Sequence, residues 1–228
     1  MQAVVLAGGR GTRLRPLTYQ IPKSMVLIQG RPFLGYLLEF IKSFGINRVL
    51  LLIGYLGEQI EEYFGSGGRL GIKVEYSYEE TLLGTGGALK NAASKLAKEF
   101  LLLNGDTFLP IDYGELMRCF CGCRKIGVVT ASNNTERTVP NNIAVGESDL
   151  VLGYNKKDPG GMTHVEAGVM VFKRDVVDII PKAEICSLEE EVFQRLIGMK
   201  ELLAFPTDQR FYDMGSPEGL RLAEEALG

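Results

Sequence analysis

The sequence has 228 residues, 46% hydrophobic and 23% charged, a balance that excludes a disordered chain and allows a substantial core. Its 25 basic and 28 acidic side chains leave a formal charge of -3, which argues against nucleic acid as a partner but leaves small anions open. The segment Met1-Gln-Ala-Val-Val-Leu-Ala-Gly-Gly9 lacks the basic head and long apolar stretch of a secretory signal. No apolar run reaches the ~18–20 residues of a membrane span, so a cytoplasmic protein without membrane contact is expected.

Gln2 to Leu6 is a short apolar run ending at Gly8-Gly9, which predicts a buried strand feeding a loop. Pro32 opens a helical pattern of Phe33, Leu37, Leu38, Phe40, Ile41 and Phe44 that Gly45 closes. A second buried strand is predicted over Arg48 to Ile53, a short helix over Glu58 to Phe64, and a third strand over Ile72 to Tyr76. Thr85 is placed as the cap of a helix running through Leu89 toward Leu96. Phe100 to Leu103 then makes a fourth strand, stopped by Asn104-Gly105-Asp106.

Strand and helix thus alternate over roughly residues 1–110, which predicts a mainly parallel sheet with helices on both faces. In such sheets ligands bind beyond the carboxyl ends of the strands, where Gly8-Gly9 and Asp106 would lie. The second half is less regular. Val128 to Ser132, Ile143 to Val145, Leu150 to Tyr154 and Glu166 to Phe172 read as strands. Ser187-Leu-Glu-Glu190 is a capping box opening a helix through Ile197, and Ser216-Pro217 starts the last helix.

Cys119, Cys121 and Cys123 are two apart with no distant second pair, so they read as small residues on or just after a helix rather than zinc ligands. With no repeat and no linker, one α/β domain over residues 1–228 is expected, its regular half near 1–110 and its less regular half near 111–228.

The strongest local signal is Leu6-Ala-Gly-Gly-Arg-Gly-Thr-Arg-Leu-Arg15-Pro16 followed by Pro22-Lys23. A strand ending in a glycine-rich loop presents backbone N–H groups to phosphate, and glycine lets the ligand approach the main chain. Arg10, Arg13, Arg15 and Lys23 concentrate positive charge in an otherwise acidic chain, and guanidinium forks suit phosphate oxygens. The dinucleotide pattern G-x-G-x-x-G fits Gly9 and Gly11 but fails at Leu14, and the absence of any Gly-Lys pair excludes the Walker loop.

This segment resembles the signature of the sugar-1-phosphate nucleotidyltransferases. Further similar motifs follow in order: Leu83-Gly-Thr-Gly-Gly-Ala88, Leu103-Asn-Gly-Asp-Thr107, Val151-x-x-Tyr154-x-x-Lys157, Glu166-Ala-Gly-Val169 and Phe211-Tyr-Asp-Met-Gly-Ser-Pro-Glu218. Within that family the length and the Glu79-x-x-x-Leu-Gly-Thr-Gly-Gly-Ala segment are most similar to heptose-1-phosphate guanylyltransferases, then to mannose-1-phosphate guanylyltransferases.

The resemblance implies a three-layer α/β/α sandwich with a Rossmann-like, mostly parallel sheet and a small acceptor-side sheet. It implies an enzyme that joins a nucleoside triphosphate, GTP foremost, to a sugar 1-phosphate and releases pyrophosphate with the help of Mg2+. By the same resemblance Arg13, Lys23 and Asp106 are expected to be catalytic, and Asp106 with Asp213 to hold the metal. Leu6, Ala7, Gly8, Gly9, Gly11, Thr12, Arg13, Glu79 and Gly84 are expected to hold the nucleotide, and Lys157, Glu166 and Asn142 the sugar phosphate.

The departures from the family pattern are Lys156 where Glu usually precedes the lysine, Glu166 where Asn is common, and Asn141-Asn142 in place of a Tyr-Gly pair. All three fall on the acceptor side and leave the sugar open. His164, the sole histidine, is expected to be structural or solvated although it sits beside the strand at Glu166. The competing readings are a uridylyl- or thymidylyltransferase, a nucleotide-sugar sensor without turnover, and a nicotinamide-dependent oxidoreductase. Retention of Arg13, Lys23, Asp106 and Asp213 argues against the sensor, and Leu14 against the oxidoreductase. A homo-oligomer is compatible with the sequence.

Overall fold

Runs of four to six apolar residues buried on both sides can only be interior strands, and the helices between them cover those faces. The computed structural model describes every residue except Glu136, Thr138, Ala183, Glu184 and Gly228. In chain order it begins with β1 (Gln2–Leu6), β2 (Leu27–Ile28), β3 (Arg31–Pro32), α1 (Phe33–Ser43), β4 (Arg48–Ile53), α2 (Gly57–Phe64) and β5 (Lys73–Tyr78). There follow α3 (Gly84–Asn91), β6 (Glu99–Asn104), β7 (Thr107–Phe108), α4 (Tyr113–Cys123) and β8 (Gly127–Ser132). The remainder is β9 (Ile143–Val145), β10 (Val151–Tyr154), β11 (Val165–Lys173), α5 (Val176–Ile179), α6 (Phe193–Gly198), β12 (Leu202–Thr207), β13 (Tyr212–Asp213) and α7 (Pro217–Leu227).

Seven strands form one sheet in the order β12-β8-β11-β6-β1-β4-β5. Strand β1 lies parallel between β4 and β6, with Leu6 opposite Leu52 and Asn104. Strand β5 extends the parallel part beyond β4, and β12 runs parallel to β8 at the other edge. Only β11 runs against its neighbours β6 and β8. The mostly parallel sheet is therefore as the motifs imply, and strands from both halves of the chain share it.

Strand β6 shows why the sheet is a two-faced interior. Leu101 and Leu103 pack with α1 and α4 residues such as Leu37 and Phe120, while Phe100 and Leu102 pack on the opposite face with Phe172 and Phe193. Neither face meets water, so its Phe-Leu-Leu-Leu run needs no polar alternation. Three two-stranded ladders complete the structure: β9–β10 on the acceptor side, β7–β13, and β2–β3.

The structure revises several expectations. Thr85 lies inside the first turn of α3 rather than capping it, and no side chain caps that helix. Helix α3 ends at Asn91, and a 3-10 turn over Ala93–Lys95 follows. Ser187 does cap its helix, its hydroxyl accepting from the Glu190 N–H, but the opening turn Leu188–Val192 is a π turn. Accordingly it is Glu191, one position later than a capping box requires, whose carboxylate accepts from the Ser187 N–H. The edge strand β12 escaped the sequence because Pro206 sits within it, a residue tolerated only where one ladder side is free. No helix among the described residues is long and apolar enough to cross a membrane.

Candidate active site

The parallel strands β1 and β6 end side by side, and the loops leaving them meet. Gly105 N–H donates to the Leu6 carbonyl at 2.9 Å, which sets Asp106 beside the start of the glycine loop. After Gly11, in left-handed conformation at φ 58°, a 3-10 turn over Thr12–Leu14 buries Leu14 as an anchor. Thr18 ties this turn down, its hydroxyl donating to the Gly11 carbonyl at 2.7 Å. A 3-10 turn over Leu17–Tyr19 follows, and Pro22 then leads into a third, Lys23–Met25, with Ser24 and Met25 buried.

Asp213 is 107 positions from Asp106, and a two-residue ladder joins them. Asp213 pairs with Thr107 across β7 and β13, and the Met214 N–H donates to the Asp106 carbonyl at 2.9 Å. Lys23, its side chain only 11% exposed, donates to Asp106 Oδ2 and stands 3.7 Å from Asp213 Oδ1. Arg13 Nη2 stands 3.7 Å from Asp213 Oδ2 with 65% of its side chain exposed, so it can swing toward a ligand. Burial pushes the Asp106 carboxyl up, but the Lys23 ammonium, hydrogen bonds from Lys23 and Thr107, and Arg13 outweigh it and hold the group below the usual range. Asp106 is ionised at neutral pH.

Asp106 and Asp213 both meet the Lys23 ammonium, and Asp213 also meets the Arg13 guanidinium. Among the described residues no third His, Cys, Asp or Glu joins them as a metal group. A pair of aspartates with the remaining positions left to water and phosphate oxygens fits a hard divalent ion of the magnesium type.

Two clefts open on either side of Asp106. The first, about 530 Å³, is lined by Leu6, Ala7, Gly8, Gly9, Arg10, Lys23, Ser24, Glu79, Leu82, Gly84, Thr85 and Ile185, among others. The expected nucleotide residues Leu6, Ala7, Gly8, Gly9, Glu79 and Gly84 therefore come together. Gly11 and Thr12 line neither cleft and serve to turn the chain, and Arg13 faces the second cleft. Gly8 and Gly54 let Glu79 lie close against the backbone here, since a methyl group on either would push its side chain aside. Glu79 Oε2 accepts from the Leu83 N–H at 3.1 Å, and burial raises its pKa despite that bond.

The second cleft, about 450 Å³, is lined by Arg13, Asp106, Asp213, Asn142, Tyr154, Lys156, Glu166, Ser187, Glu189, Glu190 and Phe211, among others. Of the expected acceptor residues Asn142 and Glu166 are present: Asn142 Oδ1 accepts from the Glu166 N–H at 2.8 Å. Lys157 is not. After β10, Asn155 Oδ1 accepts from the N–H groups of Lys157 and Asp158; both lysines of this tight turn are exposed, and Lys156 lines the cleft. His164 lies outside the lining; its carbonyl accepts from Asn142 and Ile143, and its Nδ1 meets the Thr163 hydroxyl at 2.8 Å.

Glu166 is the most perturbed group of the site. Burial, with Glu189 and Asp106 nearby, pushes its carboxyl up to about 8, against the opposing pull of the Gly168 N–H and the Lys156 charge. The bulge that carries it depends on Gly168, at φ 78°, where the backbone passes against Thr107. Sequence reasoning missed Thr85, Lys156 and Glu189 as cleft residues; Thr85 and Glu189 had been read only as helix-start signals.

Fold and site together define a nucleotide-binding α/β transferase with paired donor and acceptor clefts. The chain belongs to the Nucleotidyl transferase family, which it matches over residues 2–227. It is 35% identical over 219 residues to the D-glycero-alpha-D-manno-heptose 1-phosphate guanylyltransferase of Campylobacter jejuni, covering 96% of both chains. It is 36% identical over 222 residues to the mannose-1-phosphate guanylyltransferase of Mycobacterium tuberculosis, spanning 96% of this chain and 62% of that relative. The crystal structure of HddC from Yersinia pseudotuberculosis complexed with GMP-PN superposes with a TM-score of 0.83 at 27% identity, covering 100% of this chain and 99% of that one.

Because Glu166 is harder to ionise in the folded protein than in the unfolded chain, it costs stability as pH rises from its ordinary value near 4.5 to about 8. Glu166→Gln should therefore match the protein's Tm near pH 4.5 and exceed it by a margin that grows toward pH 8 and then levels. Thermal melts across pH 4.5–9 measure that margin; a constant one would remove the titration.

Proposed function

We propose that the chain transfers a guanylyl group from GTP to a manno-configured hexose or heptose 1-phosphate, releasing pyrophosphate, with Mg2+ as the divalent ion. The observation that supports this most is the shared seam: Asp106 lines both clefts, with Lys23 on the nucleotide side and Arg13 and Asp213 on the other. A reaction joining two phosphates needs two pockets that meet at a site of concentrated positive charge.

In this reading an oxygen of the sugar phosphate attacks the α-phosphorus, and the bond to the β-phosphate oxygen breaks. The attacking oxygen is already ionised, so no general base is needed, and the barrier is electrostatic and positional. Mg2+ held by Asp106 and Asp213 would supply further positive charge to the triphosphate. The N–H groups of the Gly8-Gly9 loop and the Lys23 ammonium receive the phosphates. Arg13, more exposed, bridges toward the incoming acceptor, and Lys156 is the cation that meets its phosphate.

The base assignment rests on Glu79. Guanine presents N1–H and its amino group side by side, and a carboxylate accepts both. Uracil flanks one N–H with carbonyl oxygens that a carboxylate repels, and adenine offers an acceptor at N1. A site built to accept two hydrogens rejects bases lacking them, because its buried polar groups are left unpaired. Both curated relatives above carry guanylyltransferase names. A uridylyl- or thymidylyltransferase is the alternative, and it would leave Glu79 only its bond from the Leu83 N–H.

Asp106→Asn and Asp213→Asn should each lower turnover by ~10²-fold or more, with the fold intact by circular dichroism. The double variant should lose far less than the product, because both aspartates serve one ion. Multiplicative losses in pyrophosphate release would separate the two carboxylates.

Lys156→Ala should raise the acceptor KM roughly 10- to 150-fold and leave GTP affinity measured without acceptor unchanged. Lys157→Ala should stay within about threefold of the unmodified enzyme, as an exposed charge. The reverse ranking would return the acceptor phosphate to Lys157.

An end-point screen of four triphosphates against hexose and heptose 1-phosphates tests the substrates directly, with GTP expected to lead. Glu79→Gln should lose the preference for GTP over UTP by ~10-fold or more in kcat/KM. UTP or dTTP outperforming GTP would overturn the guanylyl reading while sparing the nucleotidyltransferase one.

A further inference from the structure

At the boundary of the two clefts stands an acidic residue without a partner of opposite charge among the described residues. Glu189 lines both, as do Thr85, Asn104 and Asp106. Its Oε2 is held twice: the Thr85 hydroxyl donates to it at 2.7 Å and the Ser187 hydroxyl at 3.0 Å. The Thr85 oxygen in turn accepts from the Leu188 N–H at 2.8 Å, so α3 and the turn carrying Glu189 lock each other. That turn is the single π turn Leu188–Val192, a departure from regular helix that often marks functional positions. Among the described residues Glu189 Oε1 has no hydrogen-bond donor and no cation.

The chemistry of the seam restricts what that oxygen can meet. Resting on the donor–acceptor reading above, the α-phosphorus lies where the clefts join, so each substrate presents there a phosphate and the sugar that bears it. A carboxylate repels phosphate oxygens and accepts hydrogen bonds, and the hydroxyls of each sugar are the donors its substrate brings to the seam. Asp106 differs in kind, because Lys23 neutralises it and it belongs to the phosphate path.

We propose that Glu189 is a specificity-determining residue that accepts a hydrogen bond from a sugar hydroxyl adjoining the reacting phosphate, thereby requiring that hydroxyl in the substrate. Two sources carry this chemistry, the 2′-hydroxyl of the triphosphate's ribose and the 2-hydroxyl of the acceptor. Thr85 and Ser187 act as positioning residues that aim the carboxylate.

The test compares kcat/KM for GTP against dGTP, and for mannose 1-phosphate against its 2-deoxy counterpart, in the unmodified enzyme and in Glu189→Ala. The enzyme should prefer one hydroxylated substrate by ~10-fold or more, the scale of a hydrogen bond to a charged group, and Glu189→Ala should erase that preference alone. Collapse of the GTP/dGTP ratio assigns the ribose; collapse of the acceptor ratio assigns the sugar. If both ratios are flat in the unmodified enzyme, or both survive in Glu189→Ala, the proposal fails. If Glu189→Ala does not fold, Glu189→Gln decides: its amide oxygen keeps the Thr85 and Ser187 bonds, the freed position becomes a donor, and the ratio should still fall several-fold. An unchanged ratio in that variant also overturns the proposal. Failure of the guanylyl reading appears separately, as UTP outperforming GTP, and the ribose comparison is then made with UTP and dUTP.

Discussion

The structure turns on one buried ammonium. Lys23 is almost enclosed, and an enclosed ammonium is tolerated only where carboxylates meet it. Asp106 and Asp213, in turn, can be neighbours only because a cation stands between them. Three distant segments therefore depend on one another: the loop after β1, the loop after β6 and the strand β13. The β7–β13 ladder fixes the backbone of the last two, and the 3-10 turn over Lys23–Met25 delivers the first.

From that centre the two clefts diverge in character. The first cleft is a strand-end loop with apolar walls at Leu6, Leu82, Ala88 and Ile185, and the proposal seats the base and phosphates there. The other side collects Glu166, Glu189 and Glu190 against Lys156 and Arg13, a polar lining suited to hydroxyls and one phosphate. The raised carboxyl of Glu166 follows first from burial and then from the negative charge of Glu189 beside it. Lys156 partly offsets the crowding from within the same cleft. The three departures from the family pattern thus concern one wall of one pocket, which is where a change of acceptor would be accommodated.

Much of this was legible from residues alone. The strands β1, β4 and β6 are continuous apolar runs ended by glycine or asparagine, and continuous burial is the only arrangement that satisfies them. The Gly8-Gly9 loop with its arginines announces phosphate because glycine and guanidinium chemistry are local properties. Thr85 and Lys157 show where local reading stops. Thr85 bears a good capping side chain, yet Glu189 across the fold claims its hydroxyl. Lys157 and Lys156 are chemically identical, and only the turn made by Asn155 decides which one lines the cleft.

By itself the sequence determined the alternation of elements, the phosphate loop and the residue types able to do the chemistry, because propensity, periodicity and side-chain charge act over a few positions. Only the tertiary structure decided that Asp213 joins Asp106, that Lys156 rather than Lys157 lines the acceptor cleft, and that Glu189 stands where the two clefts meet. The first and last of those outcomes depend on pairings more than 100 positions apart, between Thr107 and Asp213 and between Thr85 and Glu189, while the second follows from the turn at Asn155. Such pairings are selected by how the whole sheet closes. No short stretch of chain contains the energy that chooses them.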